Sequence, residues 1–324
     1  MTAESSTLCS LLTVLPLWPR SDVQRPNTIP PDNTTPSDSV SHTTHPTCHT
    51  LSSTPSVSTR NAHSLLSLPT CVRSLTDKSR VVVSGDKPLT SFGLKSGDEV
   101  IFKDLGPQIS WRTVFLIEYL GPILVHAALF LLPQLFYPQH TFKGHTYTQQ
   151  VALACVLFHY VKRELETLYV HVFSLDTMPV RNIFKNSFHY WVLGGAMIAY
   201  FLYHPQYSEQ HSHAFVNVCA VLFVLAELGN LYCHLILRWL RPAGSKVRGI
   251  PRGFLFEYVT CANYTCELAA WLVFCLFTST LTSWVFLVVS AAQIAQWSVK
   301  KHVALRKEFG DKVPRRKILV PFVW

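Results

Sequence analysis

AFVNVCAVLFVLAELGNLYCHLILRWLR, residues 214–241, decides the fold class. It stays apolar for at least the ~20 residues that a helix needs to cross a bilayer. Within it Glu227, Asn230 and His234 recur at spacings of three and four, so they share one helical face, and Arg238 and Arg241 close the stretch. Ionisable groups at membrane depth are expensive, which makes such a stripe a functional site by default. The whole chain fits a membrane setting. Of its 324 residues 48% are hydrophobic and only 15% charged, too apolar and charge-poor for a soluble domain of this length.

Apolar segments of spanning length recur, six in all, at about 113–136, 148–173, 187–204, 214–237, 254–278 and 281–299. The connections test their number. The loop between the first two carries Lys143 alone, and those between the third and fourth and between the fifth and sixth carry no Lys or Arg. The opposite side holds Lys95, Lys103, Arg112, Arg181, Lys185, Arg238, Arg241, Lys246, Arg248, Arg252 and the basic tail. Six crossings with both termini cytosolic satisfy the positive-inside rule at every loop, and an odd number would scramble it. The net charge of +9 is thus read as topology rather than as a nucleic-acid footprint.

Residues 1–71 differ in kind. Ser, Thr, Pro and His dominate (DNTTPSDSVSHTTHPTCHT), with too little apolar content to offset the entropy of ordering, so a disordered tail is expected. The apolar run at 8–18 lacks a basic leader and is not read as a signal peptide. His42, His45, Cys48 and His49 match a metal ligand set only loosely; in so polar a tract they are read as solvated, and no metal is expected. Over 72–106, RVVV, GDKPLTSFGLKSGDE and VIF alternate short β-branched runs with turn residues, as small sheets do. The nine cysteines form no CxxC pair and are read as reduced structural residues.

Polar residues recur within the other spans. The first contains Glu118 in LIEYLGP; the second carries His159, Lys162, Glu166 and Tyr169 on one face of FHYVKRELETLY; the fifth carries Asn263, Tyr264 and Glu267 in CANYTCE. Buried pairs such as Lys162 with Glu166 can simply glue helices together. Four helices each polar on one stripe are more economically explained by a shared, water-accessible cavity. Its cytosolic mouth is crowded with Arg238, Arg241, Lys246, Arg248, Arg252, Lys300, Lys301, His302 and Lys307, cations suited to phosphate, although topology and anionic lipid account for most of the lysines. There is no GxGxxG and no P-loop, so a nucleotide must be held within the helical bundle.

GPQISWRTVFLIEYLGP, FHYVKRELETLYVHVFS, TMPVRNIFKN, LGNLYCHLILRWLRPAGS, CANYTCE and the final VPFVW together resemble the trans-2-enoyl-CoA reductases of very-long-chain fatty-acid elongation, in the steroid 5α-reductase superfamily. The likeness covers residues 81–324, and VVVSGDKPLTSFGLKSGDEVIFKDLG is similar to the closing part of the family's ubiquitin-like domain; residues 1–70 do not resemble its beginning. The resemblance implies an all-α polytopic membrane protein. Its steroid 5α-reductase-like bundle of about six transmembrane helices would occupy 107–324, after a partial ubiquitin-like segment at 72–106 and the tail. It implies an endoplasmic-reticulum enzyme, beside other elongation-cycle enzymes, that reduces the double bond of a long-chain enoyl-CoA with NADPH. By the same resemblance Lys162 and Tyr264 are catalytic, Gln108 and Glu118 support activity, and Asn230, His234, Arg238, Arg241, Asn263, Glu267 and His302 contact the cofactor. The chain departs from the family pattern at Ala262 and Cys266, often Pro and an aromatic, and in the tail at Leu305, usually Tyr, and DKVP, usually DYP.

The chemistry asks for such residues. Hydride delivered to the β-carbon of an enoyl thioester leaves negative charge on the thioester oxygen and demands a proton at the α-carbon, so a donor and an acid must be supplied. A phenol, with a reference pKa of about 10, is protonated at neutral pH and can donate. A steroid or polyprenol reductase, a membrane methyltransferase and a noncatalytic subunit of the elongation complex are the competing readings.

Overall fold

The computed structural model describes residues 73–76, 82–83, 101–104, 106–173, 176–241 and 249–324. The tail expected over 1–71, its histidine cluster, and Lys95, Lys246 and Arg248 lie outside them. Of the segment at 72–106, three strands are described: β1 (Arg73–Thr76) is flanked antiparallel by β2 (Val82–Val83) and β3 (Ile101–Asp104), with Leu75 opposite both Val83 and Phe102.

From residue 106 onward the chain is mostly helical. β4 (Gln108–Ser110) leads into α1 (Trp111–Leu131), whose first turn is capped by the Ser110 hydroxyl accepting from the Thr113 N–H at 3.3 Å. Thr146 and Gln149 form a reciprocal capping box at the start of α2 (Tyr147–Leu165), which continues as a wider π turn over Glu166–Val170. β5 (Thr177–Pro179) pairs antiparallel with β4 and so ties the entry of α1 to the loop after α2. The composite helix α3 follows, made of Asn182–Ser187, a π-helical stretch Phe188–Met197, and Ile198–Leu202. Then come α4 (His213–Trp239), α5 (Ala262–Thr278) and α6 (Leu281–Phe309).

Two of these, α1 and α4, are long and apolar enough to cross a membrane by length and composition; α5 is apolar but spans 17 residues. The expected segments differ most at four ends, and the third begins at Asn182 rather than 187. The first stops at Leu131, just before Pro133, whose ring disfavours helix at the preceding residue. The fifth begins at 262 rather than 254. Residues 258–261 are pinned instead to the carboxyl-terminal tail, where Thr260 and Cys261 donate to the carbonyls of Lys317 and Ile318 at 2.9 and 3.1 Å and Lys317 returns a bond to Tyr258 at 2.9 Å. The sixth runs on to Phe309 and ends at Gly310, φ +56°, a conformation costly for any residue with a Cβ.

The core is aromatic. Tyr119, Tyr160, Phe223, Trp271, Phe274 and Phe286 from α1, α2, α4, α5 and α6 pack in one cluster, with Trp271 edge-on to Phe286 at 4.8 Å between ring centres. Gly121 lets α3 approach α1: a Cβ there would lie 2.2 Å from the Trp191 ring, whose indole donates to the Ile117 carbonyl at 2.9 Å. α4 makes its most extensive contact with α5, which brings their polar faces together.

Candidate active site

Buried between α2, α4 and α5 is a continuous polar network. The Lys162 ammonium, 7% exposed, lies 2.5 Å from Asn230 Oδ1, 3.2 Å from Glu166 Oε1 and 3.0 Å from Glu227 Oε2. The last is a charge contact rather than a well-aimed hydrogen bond. An ammonium has three donors, and three acceptors surround this one. Glu227 also takes His159 Nδ1 at 2.7 Å. Arg163 donates to Glu166 Oε2 at 2.6 Å and to the Tyr119 hydroxyl at 2.8 Å, tying α1 to the network.

On the other side Asn230 donates through Nδ2 to the Asn263 carbonyl at 2.8 Å and reaches Glu267 Oε2 at 3.5 Å. His234 lies within 3.4 Å of the Asn263 amide through Nε2, while its Nδ1 faces both Glu166 Oε2 at 3.1 Å and Arg163 Nη1 at 3.2 Å. A guanidinium only donates, so Nδ1 either accepts from Arg163 or donates to Glu166, and the two arrangements exclude each other. Glu166, His171 and His234 have ligand atoms within 4.8 Å of one another, a spacing that suits a metal, but the Arg163 cation already occupies Glu166. Lys162 and Arg163 face Glu166 and Glu227, so two cations meet two carboxylates, the pairing that a buried set requires.

The network opens outward through His171, 3.5 Å from His234, into a cleft of about 510 Å³ lined by Ser110, Arg112, His171, Phe173, Asp176 and Arg238. Arg241 holds the Val172 carbonyl at the same rim at 2.5 Å.

Lys162, Asn230, His234, Asn263 and Glu267 are therefore brought together, with Arg238 and Arg241 at the opening. The remaining expected residues lie elsewhere. Gln108 sits in β4 and bonds the Gly106 carbonyl at 3.2 Å. Glu118 is buried in α1 against Asn186, its other oxygen without a hydrogen-bond partner. His302, beyond the expected sixth span, bonds Thr260 at 2.7 Å; burial and the nearby Arg306 and Arg316 hold its imidazole below the usual range. Tyr264 does not touch Lys162. It leans on Trp297 of α6, and the ammonium at its hydroxyl is that of Lys301, at 2.8 Å.

Sequence reasoning passed over Arg163, Tyr119 and His171 as site residues. For Arg163 a signal was present, since it lies three residues before Glu166 on the same helix. For Tyr119 and His171 there was none, because their partners lie on other helices.

A profile of the 3-oxo-5-alpha-steroid 4-dehydrogenase family matches residues 176–324. The chain is 48% identical over 239 residues to a very-long-chain enoyl-CoA reductase of Dictyostelium discoideum, covering 74% of this chain and 78% of that protein. It is 39% identical over 253 residues to a protein of Caenorhabditis elegans named "Probable very-long-chain enoyl-CoA reductase", covering 74% and 81%. With a trans-2,3-enoyl-CoA reductase-like protein of Mus musculus it shares 33% identity over 236 residues, covering 68% and 63%.

Proposed function

The chain belongs to the very-long-chain enoyl-CoA reductase family of the steroid 5α-reductase superfamily, and from that membership we propose that it reduces the 2,3 double bond of a long-chain trans-2-enoyl-CoA with NADPH. It is an oxidoreductase acting on a CH–CH bond in fatty-acid elongation. The proposal extends to six spans with both termini cytosolic in the endoplasmic-reticulum membrane, alongside other elongation enzymes. It extends also to the division of the chain into a 1–71 tail, a partial ubiquitin-like segment at 72–106 and a catalytic bundle at 107–324.

The observation that carries this reading is the convergence of Asn230, Asn263 and Glu267, joined through His234 and His171 to a cleft lined by Arg238, with Arg241 on the Val172 carbonyl beside it. The donor set fits a nicotinamide nucleotide. Glu267 can accept from a carboxamide, and Asn230 and Asn263 supply neutral partners that need no counter-ion when buried. Arg238 and Arg241 offer planar donors to a diphosphate. When bound, the cofactor supplies the hydride, and the protein orients it and excludes water.

Lys162, expected to be catalytic, has its ammonium enclosed by Glu166, Glu227 and Asn230 and serves this site instead as a positioning residue. With donors directed at Glu166 and Asn230 and its charge beside Glu227, it fixes the rotamer of Asn230, which in turn spans to α5. Tyr264, one residue from Asn263 and three from Glu267, is the acid that gives the α-carbon its proton. Gln108 and Glu118 support activity from the entry strand and α1, and His234 and His302 are the further cofactor contacts, His302 from beside Thr260 at the α5 entry.

The test is consumption of NADPH by the purified full-length protein with a long-chain trans-2-enoyl-CoA, in parallel with an enone steroid and with NADH in place of NADPH. Turnover only with the enoyl-CoA and NADPH is expected. Turnover of the steroid alone overturns the substrate reading, and equal use of NADH overturns the cofactor.

A further inference from the structure

We propose that Lys301 is the positioning residue that returns a proton to Tyr264 after each turnover, making α6 the proton inlet of the site. The inference rests on the reading of Tyr264 as the acid. Lys301 Nζ lies 2.8 Å from the Tyr264 hydroxyl and 4.3 Å from the centre of its ring, so one ammonium contacts both the oxygen and the π face. An ammonium has three donors and no acceptor, so the phenolic oxygen must accept this bond. The Tyr264 hydrogen then points away from Lys301, free for another acceptor.

The surroundings keep this arrangement separate from the buried network. The Tyr264 ring is half-buried and packs against Trp297 and the Cys261, Ile294 and Leu319 cluster, which fixes its direction. Lys301 is exposed and reaches water. Lys162 cannot take this part, because its ammonium is enclosed by Glu166, Glu227 and Asn230.

The step balances. A bound nicotinamide would supply the hydride and its two electrons to the β-carbon; the Tyr264 O–H bond breaks as a C–H bond forms at the α-carbon. The phenolate takes a proton from the Lys301 ammonium, and the resulting amine takes one from water.

The experiment compares single and multiple turnovers of the full-length protein in nanodiscs by rapid mixing, following the reduced nicotinamide. Only the second and later turnovers need a proton returned to Tyr264. In Lys301→Met one equivalent is therefore expected to react at close to the wild-type rate, followed by turnovers slowed about 100-fold, the low end of general acid–base effects. Lys301→Arg keeps the charge and the donor but does not release a proton, and should show the same burst and slow phase. Added ethylamine should accelerate the slow phase of Lys301→Met.

Lys301→Met turning over at the wild-type rate overturns the relay, and so does a first turnover slowed as much as the later ones, which would mark a structural support. Full rescue by Lys301→Arg overturns it too. The parent reading fails separately, if Tyr264→Phe retains the wild-type first-turnover rate.

Discussion

Replacing Lys162 by methionine tests whether the buried network is a single electrostatic unit. Methionine keeps the length of the side chain and removes the charge, leaving Glu166 and Glu227 facing each other's field with one fewer cation. Breaking a buried ion pair by removing one partner costs about 3–5 kcal/mol, because the surviving charge remains desolvated. In a domain of this size each kcal/mol lowers Tm by about 2–4 °C, so a fall of about 6–20 °C is expected. Thermal unfolding can be followed with a thiol-reactive dye. Cys155, Cys219, Cys233, Cys261, Cys266 and Cys275 are all buried and react only on unfolding, once Cys9, Cys48 and Cys71 have been changed to serine. Adding Glu227→Gln removes one of the stranded carboxylates, and the double variant should melt above Lys162→Met despite carrying a second change. A Tm for Lys162→Met within about 2 °C of the wild type, or no recovery in the double variant, refutes the account of Lys162 as the network's counter-ion.

Four further outcomes are expected. Tyr264→Phe should lower turnover by at least about 100-fold with Tm unchanged, and near-normal rates would remove Tyr264 from the acid role. Arg238→Ala should weaken cofactor binding about 10–100-fold, the worth of a charge-assisted hydrogen bond, in a fluorescence titration of the reduced nicotinamide; an unchanged Kd places the diphosphate elsewhere. Gly121→Ala drives a Cβ into the Trp191 ring and should cost about 1–3 kcal/mol by overpacking, read as a lower Tm. Glu209, outside the spans, accepts from the Thr148 N–H at 2.7 Å, which holds its carboxyl below the usual carboxylate range. A depressed pKa stabilises the fold above the unfolded value and is lost as pH falls below it, so Glu209→Gln should flatten the decline of Tm with acid below about pH 4.5; parallel wild-type and variant curves refute this.

The polar faces were legible because helical periodicity is local. Glu227, Asn230 and His234 lie at spacings that any helix must align, as do Asn263 with Glu267 and Lys162 with Glu166. Loop charge could be read for the same reason, since it belongs to short stretches between apolar runs. Helix ends were less legible. The chain at 254–261 reads as the start of a span, yet only Phe254–Glu257 turn, as a short 3-10 helix, and 258–261 bond the tail at 317–318 instead of continuing into α5.

The sequence alone determined which side chains share a helical face, that several such faces are buried, and that the chain is related to enoyl-CoA reductases. Only the tertiary structure decided which faces meet. It set Lys162 among Glu166, Glu227 and Asn230, tied Arg163 to Tyr119 across helices, and gave Tyr264 the ammonium of Lys301. A helix fixes angles between its own residues, whereas its rotation against a neighbour is set by packing summed over residues far apart in the chain.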